Sequence, residues 1–220
     1  MNYSKSTLIV NQSFCYTAVM IRNIIFDFGG VILKHPASVT ENIIAKIFSI
    51  SPEEAATIWK REKASLMKGQ ISSEQFIEKI KNELHFDSST SELLKLWSEL
   101  YVKEAQGINA DVLSLVDTLK QTYKVYLFTD TIDVHDAYNS TRNIYEKFTK
   151  VFKSYEEGVA KTEGEKAFIY LFKKIQAKPE ECVLIDDLEE NIQRAQACGI
   201  KGILYKNFDD LQQQLAQVLS

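Results

Sequence analysis

Cysteine is scarce in this chain: Cys15, Cys182 and Cys198 are the only three in 220 residues. The count is odd and no pair has CxxC spacing, which argues against both a disulfide framework and a zinc site. A reducing, cytoplasmic setting is the expectation, with Cys182 and Cys198 acting as small buried hydrophobes. Long apolar runs are also missing. No stretch approaches the roughly 18 apolar residues that a membrane-spanning helix needs, so no membrane partner is expected. The weakly apolar stretch from Thr7 to Met20 is interrupted by Asn11, Gln12 and Ser13, and no small-residue cleavage site follows it, unlike a signal peptide. Basic clusters are absent too: 26 Lys and Arg are interleaved with 30 Asp and Glu, for a formal charge of −4. A nucleic-acid backbone rewards clustered cations, so no nucleic-acid partner is expected. Internal repeats and low-complexity segments do not occur.

What remains is ordinary globular material, 45% hydrophobic and 11% aromatic, enough for one core domain with a sizeable insertion. Residues 1–20 read as an extension of unknown role, and Met20 is a candidate initiator. Ile24-Ile25-Phe26-Asp27-Phe28 is a short apolar run that stops at an acid and Gly29-Gly30, the pattern of a buried parallel strand opening into a tight turn. Between Pro36 and Gln106 the periodicity is helical. Ser51-Pro52-Glu53-Glu54 is a strong helix start, and Ser72 to Gln75 has capping-box spacing ahead of the apolar stripe Phe76, Ile77 and Ile80. About four helices and no strand are expected there.

From Gly107 onward strands and helices alternate. Strands are expected at Val125 to Phe128, near Val151-Phe152, at Cys182 to Ile185 and at Ile203 to Tyr205. The helices between them run through Val112 to Leu119, Ala137 to about Lys147, Phe168 to Ile175 and Ile192 to Cys198, with a Gln-rich helix at the end. This alternation predicts an α/β fold: a doubly wound, Rossmann-like parallel sheet core formed by residues 21–35 and 107–220, with an inserted α-helical cap at 36–106. Three apolar strands end in polar residues: Asp27, Thr129 and the pair Asp186-Asp187. Ligands of open parallel sheets bind beyond those carboxyl ends, where converging carboxylates make a hard oxygen site suited to Mg²⁺. Helix capping is the plainer account of any one acid, but not of three tips together.

At this point the residues resemble a known family. Ile25-Phe26-Asp27-Phe28-Gly29-Gly30-Val31-Ile32 is similar to the first motif of the haloacid dehalogenase superfamily. Tyr126-Leu127-Phe128-Thr129 resembles the second motif, Lys161 in Glu157-Gly158-Val159-Ala160-Lys161 the third, and Val183-Leu184-Ile185-Asp186-Asp187, continued by Asn191 and Gly199-Ile200, the fourth. Residues 36–106 match that family's α-helical cap in place and length, and Lys68-Gly69-Gln70-Ile71-Ser72 resembles a turn within such caps. The resemblance implies a Mg²⁺-dependent phosphatase acting on a small phosphorylated metabolite. Asp27 would be the nucleophile that forms an aspartyl-phosphate. Asp27, the Gly29 carbonyl and Asp187 would hold the metal, with Asp186 beside them. Thr129 and Lys161 would bind and neutralise the phosphoryl group, aided by backbone N–H groups around Phe28 and Asp130.

The sequence departs from the family pattern at three places. Gly29 stands where most phosphatases of the superfamily carry an acid/base Asp, as in a glucose-1-phosphatase-like branch with an Asp-x-Gly first motif. Thr162 stands where Pro commonly follows the third-motif lysine. Asp130-Thr131 follows Thr129, and Asp130 reads as a loop acid facing solvent in preference to a proton carrier. Two alternatives stay open: a catalytically impaired binding or regulatory protein, and a haloacid dehalogenase in which Asp27 attacks carbon. Lys34 and His35 read as loop residues, and Trp59, Lys60 and Arg61 as cap structure. His135 reads equally as a substrate contact or a helix start.

Overall fold

The computed structural model describes residues 20–34, 38–105 and 107–220. The N-terminal extension with Cys15, and His35, Pro36 and Gln106 at the expected domain boundaries, lie outside the described residues. Five strands form a parallel sheet: β1 (Asn23–Phe26), β4 (Lys124–Thr129), β5 (Lys150–Lys153), β6 (Cys182–Asp186) and β7 (Lys201–Leu204), in the order β5-β4-β1-β6-β7. The near-continuous apolar strands follow from burial on both faces. Alternate residues face opposite sides. Ile24, Phe26, Val125, Leu127, Val183 and Ile185 join one core, with Val112 and Val116 of α5 (Ala110–Leu119) and Leu211 and Leu215 of α10 (Phe208–Leu219). Ile25, Tyr126, Phe128 and Leu184 join the other, with Phe168 and Leu171 of α8 (Glu165–Ile175) and Ile192 and Ala195 of α9 (Glu189–Ala197). The first strand lies in the middle, and the chain winds outward on one side before crossing to the other. The reversal of winding falls at β1, between β4 and β6. Ligands of such sheets bind at this switch point.

Four helices are inserted in the chain between β2 (Leu33–Lys34) and β3 (Gly107–Ile108): α1 (Val39–Phe48), α2 (Pro52–Met67), α3 (Ser73–Glu83) and α4 (Thr90–Glu104). Full capping boxes start α2 at Ser51 and α3 at Ser72, where the sequence places them, and a third at Ser89–Glu92 starts α4. The strands β2 and β3 pair antiparallel, so the segments entering and leaving the insert form one short ribbon. The turn before α3 docks on the core. Gly69 (φ +61°) lies so close to the Tyr155 carbonyl that an added Cβ would be 2.2 Å from its oxygen. Lys68 reaches Glu163 at 3.6 Å, and Asp133 accepts hydrogen bonds from the backbone N–H and hydroxyl of Ser73.

One helix differs from its sequence pattern. The expected helix from Ala137 to about Lys147 is instead α6 (Asp133–Asn139), followed by two short 3-10 turns at Ser140–Arg142 and Tyr145–Lys147. The helix starts earlier, at Asp133, whose carboxylate accepts from the Val134 amide at 2.9 Å. It cannot continue because Asn143 sits in the left-handed region (φ 56°), which turns Ile144 and Phe148 into the core. Cys182 is a free, buried thiol, pushed up to about 12 by burial, and Cys198 is free and half-buried.

Candidate active site

Asp27, Thr129 and Asp186 end three adjacent strands, and because Phe26 pairs with both Leu127 and Ile185 the register sets Asp27 level with Asp186 and Thr129 one residue beyond. Carboxylate oxygens of Asp27, Asp186 and Asp187 lie within 4.8 Å of one another. A single ammonium is set among them: Lys161 Nζ is 2.7 Å from Asp27 Oδ1 and 2.5 Å from Asp186 Oδ2, and the lysine is 1% exposed. Burial pulls the Lys161 pKa down, but Asp186, Asp27 and Asp130 outweigh it and hold the lysine above its ordinary value. Burial pushes Asp27 up, Lys161 pulls it back, and Asp186 and Asp187 push it up further, to about 8. Among the described residues, three clustered carboxyl groups share one ammonium, a set that ionises fully only when a divalent cation neutralises it.

Each of these groups is held by its neighbours. Asp186 is fully buried and accepts from the Asn191 side-chain amide at 3.0 and 3.1 Å and from the Leu188 N–H at 3.0 Å. Its oxygens are therefore largely spoken for, and Asp187, half-buried, is the more open carboxylate beside Asp27. Gly30 gives Asp187 its place: a Cβ there would lie 2.0 Å from Asp187 Oδ2, and its φ of +73° favours glycine independently. This oxygen-only donor set, with a glycine cradle under one carboxylate, fits Mg²⁺. Asp130 is half-buried and not the wholly solvent-facing acid that its loop position suggests. Its Oδ1 accepts the Lys161 backbone N–H at 2.9 Å, tying the second-motif loop to the turn that presents Lys161, and burial raises its pKa against the pull of Lys161. Ser154, fully buried, clamps the same loop by accepting from Thr131 N–H at 2.9 Å and donating to Thr131 C=O at 3.1 Å.

Above the carboxylates is a cavity of about 360 Å³, near the lower end of small-ligand pockets. Its floor is Asp27, Gly29, Gly30, Thr129, Asp130, Lys161 and Asp187. Its roof comes from the helical insert: Trp59, Lys63 and Met67 at four-residue steps along α2, with Val39 and Thr40 of α1 and Tyr101 of α4. The residues matched to four separate motifs thus line one cavity.

A hydrolase family described as haloacid dehalogenase-like hydrolase matches residues 21–199. The chain belongs to this family. Among its relatives is the D-ribitol-5-phosphate phosphatase of Bacteroides thetaiotaomicron, 21% identical over 210 residues, covering 91% of this chain and 100% of that protein. A haloacid dehalogenase family enzyme of the same organism, solved in complex with magnesium and inorganic phosphate, is 25% identical, with a TM-score of 0.71 over 84% of this chain and 94% of that one. A predicted hydrolase of the family from Porphyromonas gingivalis shares the fold, with a TM-score of 0.76 at 22% identity, covering 91% and 98% of the two chains.

Within this candidate site, His135 lies in the first turn of α6, the helix-start position, and its side chain also lines the cavity. Trp59 lines the roof, whereas Arg61 turns outward to Glu83 at 2.7 Å, and neither Lys60, Arg61 nor Lys34 is among the cavity residues. Gly30, Ser154, Lys63 and Asn139 were not singled out from sequence. The Gly29-Gly30 pair was a usable signal for Gly30; the other three depend on contacts across the fold.

Proposed function

We propose that this hydrolase is a Mg²⁺-dependent phosphatase of a small phosphorylated sugar or polyol, using Asp27 as its nucleophile. The observation that carries the reading is the cluster of Asp27, Asp186 and Asp187 around Lys161, the one buried cation among the described residues. Asp27, the Gly29 carbonyl and Asp187 would hold the metal, and Asp186 completes the acidic set while orienting Lys161. When bound, Mg²⁺ supplies the charge neutralisation that lets a carboxylate approach a phosphate. An Asp27 oxygen attacks phosphorus, the P–O bond to the sugar or polyol breaks as its oxygen takes a proton from water, and an aspartyl-phosphate remains on Asp27. Water then attacks that phosphorus, releasing phosphate and regenerating the carboxylate. Lys161 offsets phosphoryl charge, and the Thr129 hydroxyl donates to a phosphoryl oxygen with backbone N–H groups near Phe28 and Asp130.

The roof of α1, α2 and α4 suits small substrates, because a lid excludes large ones. The polyol phosphatase among the relatives and the magnesium and phosphate complex of another support the substrate class and the metal. Gly29 offers no side chain to protonate the leaving oxygen, and loss of such help costs roughly 10²–10⁴-fold in rate. Activated aryl phosphates, whose leaving groups need no proton, are therefore the most sensitive probes. Gly29 also favours a second reading, a protein that binds Mg²⁺ and phosphate without turnover. Phosphate release from sugar, polyol and aryl phosphates, with and without Mg²⁺ and in wild type beside Asp27→Asn, separates the two. Release that needs both Mg²⁺ and Asp27 supports the phosphatase. Equal silence of both proteins with intact Mg²⁺ binding supports the binding protein. Metal-independent halide release from a haloacid would point to dehalogenase chemistry instead.

A further inference from the structure

The wall of the cavity between α4 and α6 carries polar groups that the phosphate chemistry does not use. His135 stacks on Tyr101 with ring centroids 3.8 Å apart and planes 6° from parallel. Trp97 Nε1–H donates to His135 Nε2 at 3.0 Å, so a neutral His135 carries its proton on Nδ1. One helical turn further along α6, Asn139 lines the same cavity although it is only 2% exposed. Its side-chain NH₂ donates to the Tyr101 hydroxyl at 2.9 Å. Its Oδ1 is buried and meets no donor among the described residues.

Turning the amide over does not remove the problem. Oδ1 would then accept from the Tyr101 hydroxyl, and the NH₂ would be left unpaired in its place. Buried polar atoms are nearly always hydrogen-bonded, so an orphan on a residue that lines a binding cavity points to a ligand group. With Asn139 as oriented here, the missing partner is a donor. Phosphate oxygens at neutral pH are acceptors, so the donor has to come from the rest of the molecule.

We propose that Asn139 reads a hydroxyl on the carbon chain of the substrate, accepting its O–H at Oδ1 while the Tyr101 hydroxyl holds the other side of the amide. This rests on the phosphatase reading and deepens it: the substrate is a polyhydroxylated chain bearing the phosphate, and Asn139 is a specificity residue remote from the reacting phosphorus. A substrate lacking the hydroxyl leaves the acceptor unpaired, which a site built for hydrogen bonding rejects.

The test measures kcat and KM with Mg²⁺ for a pentitol phosphate and for pentyl phosphate, the same chain without hydroxyls. Wild type, Asn139→Leu (similar volume, no acceptor) and Asn139→Asp (acceptor retained) are compared. In wild type, kcat/KM favours the pentitol phosphate by about tenfold or more, chiefly through KM. Asn139→Leu reduces that preference to roughly threefold or less, and Asn139→Asp restores part of it. Equal wild-type turnover of both substrates, or a proportional fall in both for Asn139→Leu, overturns the assignment. If Asn139→Leu does not fold, wild type is assayed with single-deoxy pentitol phosphates. One deletion costing about fivefold or more then supports the assignment, and uniformly small losses defeat it. Turnover of an aryl phosphate reports separately on the phosphatase reading. Aryl turnover without any hydroxyl preference removes only the role of Asn139, whereas silence on every substrate removes both.

Discussion

Among the described residues, Lys161 is the one cation in contact with both Asp27 and Asp186, and its charge offsets part of the burial that raises Asp27. Removing one partner of a buried ion pair leaves uncompensated charge, so Lys161→Met should lower the stability of the metal-free protein by about 3 kcal/mol. Added Mg²⁺ should recover much of the lost Tm while phosphate release stays at least about a hundredfold down, read by thermal melts and assay in parallel. Asp27 sets a pH dependence. With its pKa raised to about 8 from an ordinary carboxylate value, the folded metal-free protein holds a proton that the unfolded chain releases near pH 4. Its stability contribution is therefore complete below about pH 4 and is lost as pH rises toward 8. Mg²⁺ must displace that proton, so its apparent affinity should rise up to tenfold per pH unit until about pH 8 and then level off. Calorimetry in two buffers of different ionisation enthalpy checks this: about one proton released per Mg²⁺ at pH 6.5 and none at pH 9. A pH-independent affinity would show Asp27 already ionised in the free protein. Gly30→Ala should weaken Mg²⁺ binding by about tenfold or more with the fold retained, because the new methyl takes the place of Asp187 Oδ2 and the backbone is strained by about 1–3 kcal/mol. A Mg²⁺ titration beside circular dichroism tests it.

Among the elements, the ribbon of β2 and β3 and the docked turn at Lys68–Ser72 decide how the helical insert sits over the carboxylates. The turn is held by Gly69 against Tyr155, Lys68 with Glu163, and Ser73 with Asp133. Glu163 also accepts from the Ala160 N–H at 3.3 Å, next to Lys161, so the contact that seats the insert braces the turn that carries the cation. Gly69→Ala combines a left-handed φ with a clash against backbone. It should cost about 2 kcal/mol, a Tm fall of roughly 4–8 °C, and should raise KM for a cap-bound substrate more than it lowers kcat. An unchanged KM would show that this turn does not set the position of the roof.

For the molecule as a whole, the parallel sheet places three chemical strand ends side by side at its switch point, and the insert closes a cavity of about 360 Å³ over them. A space of that size suits a small molecule and not a folded protein surface. Phosphorylated sugars and polyols should be hydrolysed, while phosphopeptides of ten residues or more should be turned over at least about a hundredfold less efficiently, measured as kcat/KM under one set of conditions.

The order of elements and the strand-end residues of the site were legible in the sequence, because both depend on short-range pattern, whereas Lys161 stood out only through the family resemblance. An apolar run ending in an acid is a parallel strand whose tip bears chemistry, and Asp27, Thr129 and Asp186-Asp187 each announce themselves in that way. The same logic failed for α6, where the apolar spacing continues past Asn143 but the left-handed backbone there does not. It failed for Asp130, whose carboxylate accepts the backbone N–H of Lys161, 31 positions along the chain. The tertiary structure alone decided that Ser154 clamps the loop after Thr129, that Gly30 makes room for Asp187, and that the amide of Asn139 is half-paired by Tyr101. Periodicity records which face of an element is buried. Which polar atoms meet across that burial is settled only when distant segments pack, and the reading of the substrate depends on those meetings.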